Sequence, residues 1–349
     1  MIKDLYVGDL HIQVNNLADT ERLLAFIRQS FIEGGCRNLV LLGDIFHTHS
    51  VIRQEVAYLI LSFLKDFYFN VVEANRNRII ILVGNHDGIS PTITDKNAVD
   101  LILGEFATIV SGDKFFVGDG GFVFMPFVYD NNKFLETAKL AHQAAMLRGH
   151  RDPVLACHQT FDGAAYESGM PCPNGVKSEL LPYSVIISGH IHKRQVVNDK
   201  VLYLGTPRPV TAGEVNDQKF IFTVGRNEIG SVVIGSIPTA SIVKHYYMTE
   251  LIENSVTDLN LSEYDLSKDD VRVRVTGSQS FYEAIKVRYA DLKGRVKFIP
   301  NIKKDLSKKI NLEASNISIE MALEKYVKEI VDIKSDLKEE VWQTISKML

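Results

Sequence analysis

Five times along this chain an uninterrupted apolar run ends in a cluster of histidine, aspartate or asparagine: LYVGDLH, NLVLLGDIFH, RIIILVGNHDG, PVLACHQT and YSVIISGHIH. Apolar runs of this length suit strands buried on both faces, the environment of a parallel sheet covered by helices. Helical signals alternate with the first three. Residues 17–33 place Leu23, Leu24, Ile27 and Phe31 on one face, and Gly34-Gly35 ends that helix. VIRQEVAYLILSFLKDFYF (51–69) reads as a strongly apolar helix. Strands alternating with helices at this spacing predict an α/β domain with parallel pairing.

The polar ends carry the chemistry. Ligands of open α/β folds gather beyond the carboxyl ends of strands, so the five loops should converge. They bring Asp9 and His11, Asp44 and His47, Asn85, His86 and Asp87, His158, and finally His190 and His192. In an extended backbone, residues i and i+2 share a face, which lets both rings of GHIH reach one site. Six of the ten histidines lie in these loops, beside oxygens rather than thiolates. That mixture suits Mn²⁺, Fe²⁺ or Zn²⁺ and not a structural thiolate site. The ligand number then decides how many ions. One octahedral ion cannot use Asp9, His11, Asp44, Asn85, His158, His190 and His192 at once. Two ions bridged by one carboxylate can, and a pair roughly 3.5–4 Å apart clamps both oxygens of an in-line phosphoryl displacement.

Beyond residue 195 the pattern turns to hairpins, with Asn198-Asp199 as one turn and KFIFTV and SVVIGSI flanking another. The expected architecture is two packed mixed β-sheets flanked by helices over residues 1–240. VRVRVTG, a helix near 279–292 and GRVKFI predict a small βαβ cap within 241–305, followed by C-terminal helices over 306–349. The chain carries a formal charge of −4, which argues against a generally basic nucleic-acid binder. Yet between Lys268 and Lys309 twelve Lys/Arg stand against five Asp/Glu, leaving the remainder at −11. A basic cap of this kind is either a solvated face or a DNA contact, with Arg272, Arg274, Lys303 and Lys304 the candidates. In the terminal stretch Ile319, Leu323, Tyr326, Ile330, Ile333 and Leu337 form a coiled-coil-like seam, for self-packing or for a partner. The apolar helix 51–69 reads either as buried core or as half of a homodimer contact.

Three cysteines without zinc spacing suit a reducing compartment. The first residues lack a signal-peptide core, and no apolar run is long enough for a membrane, so a cytoplasmic protein with no membrane contact is expected. No phosphate-binding GxxxxGK[ST] run occurs, so any ATP-driven step belongs to another chain. His49, His142, His150 and His245 fall outside the five clusters and read as surface or satisfied polar residues.

Taken in order, the clusters D-x-H, G-D-x-x-H, G-N-H-D, H and G-H-x-H resemble the calcineurin-like metallophosphoesterases. The histidine ending GDIFH, together with GHIHKRQ and LGTPRPVTAGE, is similar to the SbcD-type nuclease subunits of the DNA double-strand-break repair complex. The resemblance implies a four-layer sandwich. It implies one ion held by Asp9, His11, Asp44 and His192, and a second held by Asp44, Asn85, His158 and His190. Asp44 would bridge, with a metal-activated water attacking phosphorus. His86 would act at the leaving or non-bridging oxygen, His47 would support His86 or touch phosphate, and Asp87 would lie behind the ligands. Two Mn²⁺ are implied, with Mg²⁺, Fe²⁺ or Zn²⁺ as substitutes. So are exonuclease and endonuclease action on DNA, a homodimer, and an SbcC-type coiled-coil ATPase partner. The rival readings are a phosphodiesterase or phosphatase acting on a small nucleotide or phosphoprotein, and a non-catalytic assembly subunit.

Overall fold

The computed structural model describes residues 3–75, 77–211, 213–214, 216–255, 259–302, 338 and 342. Met1–Asn301 form one compact unit, and the layers below belong to it. In chain order the strands and helices are β1 (Lys3–Val7), α1 (Leu17–Glu33), β2 (Asn38–Leu41), α2 (Gln54–Phe67), β3 (Arg78–Leu82), β4 (Gly88–Ser90), β5 (Ile93–Asn97), α3 (Ala98–Leu103), β6 (Thr108–Val110), β7 (Phe116–Val117), β8 (Phe122–Met125), α4 (Asn131–Leu147), β9 (Val154–His158), β10 (Val185–Gly189), β11 (Gln195–Val197), β12 (Val201–Tyr203), β13 (Phe220–Arg226), β14 (Val232–Pro238), β15 (Tyr246–Ile252), β16 (Asp270–Gly277), α5 (Gln279–Arg288) and β17 (Val296–Ile302).

Two six-stranded sheets form the centre, ordered β14-β13-β1-β2-β3-β6 and β11-β12-β10-β9-β8-β7. In the first, β1, β2, β3 and β6 run parallel, and β13 pairs antiparallel with β1. In the second, β8, β9, β10 and β12 run parallel, with β7 and β11 antiparallel at the edges. The period of two along each strand explains the continuous apolar runs. Tyr6, Val40 and Ile80 point between the sheets, where they meet Phe124, Ala156 and Ile187. Their neighbours Leu5, Leu39 and Ile79 point outward onto Leu23, Ile27, Ile60 and Leu64 of α1 and α2. On the far side Leu155 and Ile186 meet Phe134, Ala138 and Ala141 of α4. Every central strand thus needs apolar residues at both parities, giving helix, sheet, sheet, helix. Trimming Phe124, 1% exposed in the middle layer, to alanine would cost about 3–5 kcal/mol.

Local chemistry ends the elements. Asp130 caps α4, accepting the Asn132 and Lys133 amides at 2.8 and 3.1 Å. Asn198 and Asp199 both take positive φ in the β11–β12 turn, which matches the hairpin expected there. α2 buries Val56, Ile60, Leu64 and Phe67 against the first sheet and leaves Tyr58 74% exposed, so it is a core helix with one open side.

The segment after residue 240 forms its own sheet, β15-β16-β17. Val271, Val273 and Val275 face Ile285 of α5, while Arg272 and Arg274 alternate to the other side. The βαβ expected here is present, with a strand in front of it that the sequence reading missed: β15 pairs parallel with β16. The C-terminal helices and their seam, with Lys303 and Lys304, lie outside the described residues apart from 338 and 342.

Candidate metal centre

β1, β2 and β3 of one sheet and β9 and β10 of the other all end at the same rim. The five clusters follow those ends, so the side chains meet where the two sheets face each other. The backbone does not stay extended to bring them there. His11, Asp44 and His190 have φ of 44°, 48° and 80°. The strand alternation expected to aim His190 and His192 together is therefore corrected: β10 stops at Gly189, and a left-handed turn at His190 redirects the chain. Non-glycine residues in this region are strained, and such strain persists where the surroundings over-determine it. The glycines before the ligands have a separate cause, crowding. A Cβ on Gly189 would lie 2.6 Å from Asp9 Oδ1, and one on Gly84 would lie 2.1 Å from Asp44 Oδ1.

Two adjoining cages result. In the first, Asn85 Oδ1 lies 3.1 Å from His158 Nε2 and 2.8 Å from His190 Nδ1. His158 Nε2 is also 3.3 Å from His190 Nδ1 and 3.4 Å from Asp44 Oδ2. In the second, His11 Nε2 lies 3.0 Å from His192 Nε2 and 3.6 Å from the same Asp44 Oδ2, with Asp9 in the cluster. Asp44 Oδ1 is engaged separately by the His86 amide at 2.8 Å, which leaves Oδ2 turned between the cages.

The donor set fits cations. His158 Nδ1 donates to the Leu42 carbonyl at 2.7 Å, and His192 Nδ1 faces Glu214 Oε1 at 3.3 Å. Carbonyl and carboxylate can only accept, so these Nδ1 atoms carry protons, and in the neutral rings both Nε2 atoms present lone pairs inward. Lone pairs on nitrogen and oxygen packed about 3 Å apart, in a buried site, are reconciled by an ion placed among them; ligands at about 2.0–2.2 Å from a metal have that mutual spacing. The carboxylate behind His192 follows the arrangement that fixes imidazole ligands elsewhere.

The field of the site agrees. Burial opposes charge on Asp44, but His158 and His11 hold its carboxyl well below the usual range, so it stays anionic. Burial would push His158 down, yet Asp44 and Asp9 draw it up to about 9, so a cation entering the cage would replace a proton on Nε2. Burial and the neighbouring His158 push His190 down to about 3. Burial raises Asp9 to about 6, partly offset by His158. The carboxylates thus attract positive charge into a place that burial denies to most of the imidazoles.

Around the cages the remaining candidates take distinct places. His86 Nδ1 donates to the His47 carbonyl at 2.7 Å, leaving Nε2 free for other contacts. His47 therefore supports His86 through its backbone, while its ring nitrogen Nδ1 faces His11 Nδ1 at 3.4 Å. Asp87 is buried beside the centre, where it feels the charge of Asp44. Its two oxygens accept the Phe46 and Gly84 amides at 3.0 and 2.9 Å, tying the second and third loops together. Arg272 is 3.1 Å from Asp270 and lies over the Tyr246 ring, and Arg274 is exposed on β16; neither is part of the metal centre.

Three contributors escaped the sequence reading. Glu214 is buried and accepts the Val210 and Thr211 amides and Lys219 Nζ besides facing His192. Burial would raise it, but His192 and Lys219 hold it well below the usual carboxylate range. Arg208, 1% exposed, donates from Nη2 to the Leu10 and His11 carbonyls, fixing the strained turn at His11. His49, expected to be a surface or satisfied residue, is instead half-buried with its ring stacked on His86. His245 also departs from that expectation, since it is buried with Nε2 unpartnered. The signal for Glu214 and Arg208 was their place in LGTPRPVTAGE, but no spacing rule gave them a role.

Comparison with known proteins bears on this geometry. The calcineurin-like phosphoesterase family matches residues 5–194. Exonuclease subunit 1 of Enterobacteria phage T4 is 26% identical over 235 residues, 62% of this chain and 63% of that protein. The alignment thus spans under two thirds of the relative's length. Among solved structures, a dimetal phosphatase from Danio rerio overlays with a TM-score of 0.44 at 11% identity, covering 67% of this chain and 95% of that one. GAP50, the anchor in the inner membrane complex of Plasmodium, gives 0.38 at 12% identity, covering 69% and 85%.

Proposed function

This chain belongs to the calcineurin-like phosphoesterase family, and from that premise we propose that it is a Mn²⁺-dependent DNA nuclease subunit. The observation that carries the hydrolytic part is the pair of cages sharing Asp44 Oδ2. When bound, a divalent pair supplies Lewis-acid charge against the phosphate and a water acidic enough to ionise near neutral pH. Asp9, His11, Asp44 and His192 would hold one ion, and Asp44, Asn85, His158 and His190 the other. Glu214 and Leu42 keep His192 and His158 in the tautomers that turn Nε2 inward. His86, its Nδ1 committed to the His47 carbonyl, presents Nε2 as general acid or charge stabiliser. In the reaction, water oxygen forms the new bond to phosphorus as the bond to the leaving sugar oxygen breaks. The Nε2 proton passes to that oxygen. The water releases its proton to solvent, from which His86 is reprotonated.

DNA as substrate is supported by the likeness to the phage protein named an exonuclease subunit and by the basic excess of the cap. The proposal extends to exonuclease and endonuclease action in DNA end processing, recombination and repair. It includes an SbcC-type coiled-coil ATPase engaged through residues 306–349, and a homodimer. Among the described residues, no helix is long and apolar enough to cross a membrane. A second reading, hydrolysis of a small phosphodiester or phosphoprotein, is favoured by one observation: Asp270 engages Arg272, Lys297 and Lys244 within the cap, which offsets part of its positive charge.

The test is an assay of Mn²⁺-loaded protein on linear DNA and on bis-p-nitrophenyl phosphate at low salt. Cutting of DNA, reduced by roughly 10²–10⁴-fold in His86→Ala with metal content kept, is the expected result. Turnover of the small ester with neither binding nor cutting of DNA would replace the nuclease with the second reading.

A further inference from the structure

His49 lies outside every cluster that the family reading uses, in the loop between β2 and α2. Its ring nonetheless sits on His86, centroids 4.7 Å apart and planes 17° from parallel. Nδ1 of His49 is buried without a hydrogen-bond partner. An imidazole nitrogen buried unsatisfied is unfavourable, so packing of the ring, not hydrogen bonding at that atom, keeps it in place. The loop itself is fastened: Thr48 Oγ1 donates to the Val51 carbonyl at 2.6 Å, and Ser50 Oγ to the Ile89 carbonyl at 2.6 Å. The second bond ties the His49 loop to the segment that follows His86. A cavity of about 430 Å³ adjoins, lined by His49, Ser50, Asp87, Ile89 and Leu101.

We infer that His49 is a positioning residue for His86, resting on the phosphodiesterase reading above. One hydrogen bond, Nδ1 to the His47 carbonyl, anchors the His86 ring, and the His47 ring stacks on it loosely, at 5.8 Å and 19°. The His11 ring meets it edge-on at 4.8 Å and 86°, and the His49 face, the nearer of the two stacked rings at 4.7 Å, gives the closer restraint on its plane. Removing His49 joins the cavity to the His86 pocket and lets the ring tilt, moving Nε2 off the line to the leaving oxygen. Small displacements of a proton donor are costly in rate.

Two substrates separate this role from a structural one. A dinucleotide phosphodiester releases an alkoxide that needs a proton, whereas bis-p-nitrophenyl phosphate releases a phenolate that does not. With Mn²⁺-loaded protein, His49→Ala should lower kcat on the dinucleotide by about tenfold or more. KM, bound manganese and turnover of the p-nitrophenyl ester should stay near wild type. His49→Phe, which keeps the aromatic face and removes the nitrogens, should recover most of the lost rate. Equal activity of His49→Ala and wild type on both esters would overturn the inference. So would parallel loss on both with lost metal, or a Phe variant no better than alanine. Wild-type protein inert on both esters would instead remove the phosphodiesterase reading, and this inference with it.

Discussion

The sandwich rim and the cap both concentrate polar residues, and they treat them oppositely. At the rim Asp9, His11, Asp44 and His158 are at most 1% exposed, and backbone strain falls on three of the proposed ligands. Lone pairs there face one another across distances that suit an intervening cation. In the cap one carboxylate, Asp270, gathers Arg272, Lys244 and Lys297 at 2.7–3.8 Å, and Arg274 stands exposed on β16. Pairs whose cations reach solvent in this way stabilise little. Buried polarity left without internal compensation, more than charge density, distinguishes a site from a surface.

Asp44→Asn should break the contrast most severely, because it removes the charge shared by both cages. Hydrolysis should fall by at least about 10³-fold, the scale of losing one strong electrostatic stabiliser, and bound metal should drop as measured by elemental analysis. Glu214→Gln keeps the shape behind His192 but removes its charge. Metal affinity should weaken by about 10–100-fold, read by competition with a chelating dye.

A third change tests buried polarity remote from the metal centre. Asp4, at the start of β1, is raised to about 6 by burial, eased by Arg37 and the Asn38 hydrogen bonds. A carboxyl whose folded pKa lies above its unfolded value of 3.8 costs stability when ionised. The native state therefore loses stability as pH rises from about 4 through about 6. Asp4→Asn keeps an acceptor for Asn38 and should be more stable at pH 7, by up to about 3 kcal/mol. In urea unfolding that advantage should vanish below about pH 4. In the cap, Arg274→Ala should produce the smallest change: DNA binding a few-fold weaker, with the salt dependence reduced by about one phosphate contact.

These differences also explain what could be read in advance. The proposed ligands follow apolar runs whose two parities both had to be buried, so strand ends and chemistry were marked by the same residues. Asp9, His11, Asp44, Asn85, His158, His190 and His192 were legible for that reason. The turn that delivers His190 was not, since a positive φ in a non-glycine residue leaves no trace in sequence. Glu214, Arg208 and His49 act through contacts with residues 22, 197 and 37 positions away, and only tertiary packing makes those pairs. β15 was missed because Tyr246–Ile252 alternates weakly, most of its residues being half-buried on both faces.

Anomalous diffraction from crystals soaked in Mn²⁺ addresses the central claim most directly. The expected result is two peaks on either side of Asp44 Oδ2, one beside Asp9, His11 and His192 and the other beside Asn85, His158 and His190. A single peak, or none between those side chains, would contradict the paired-ion centre.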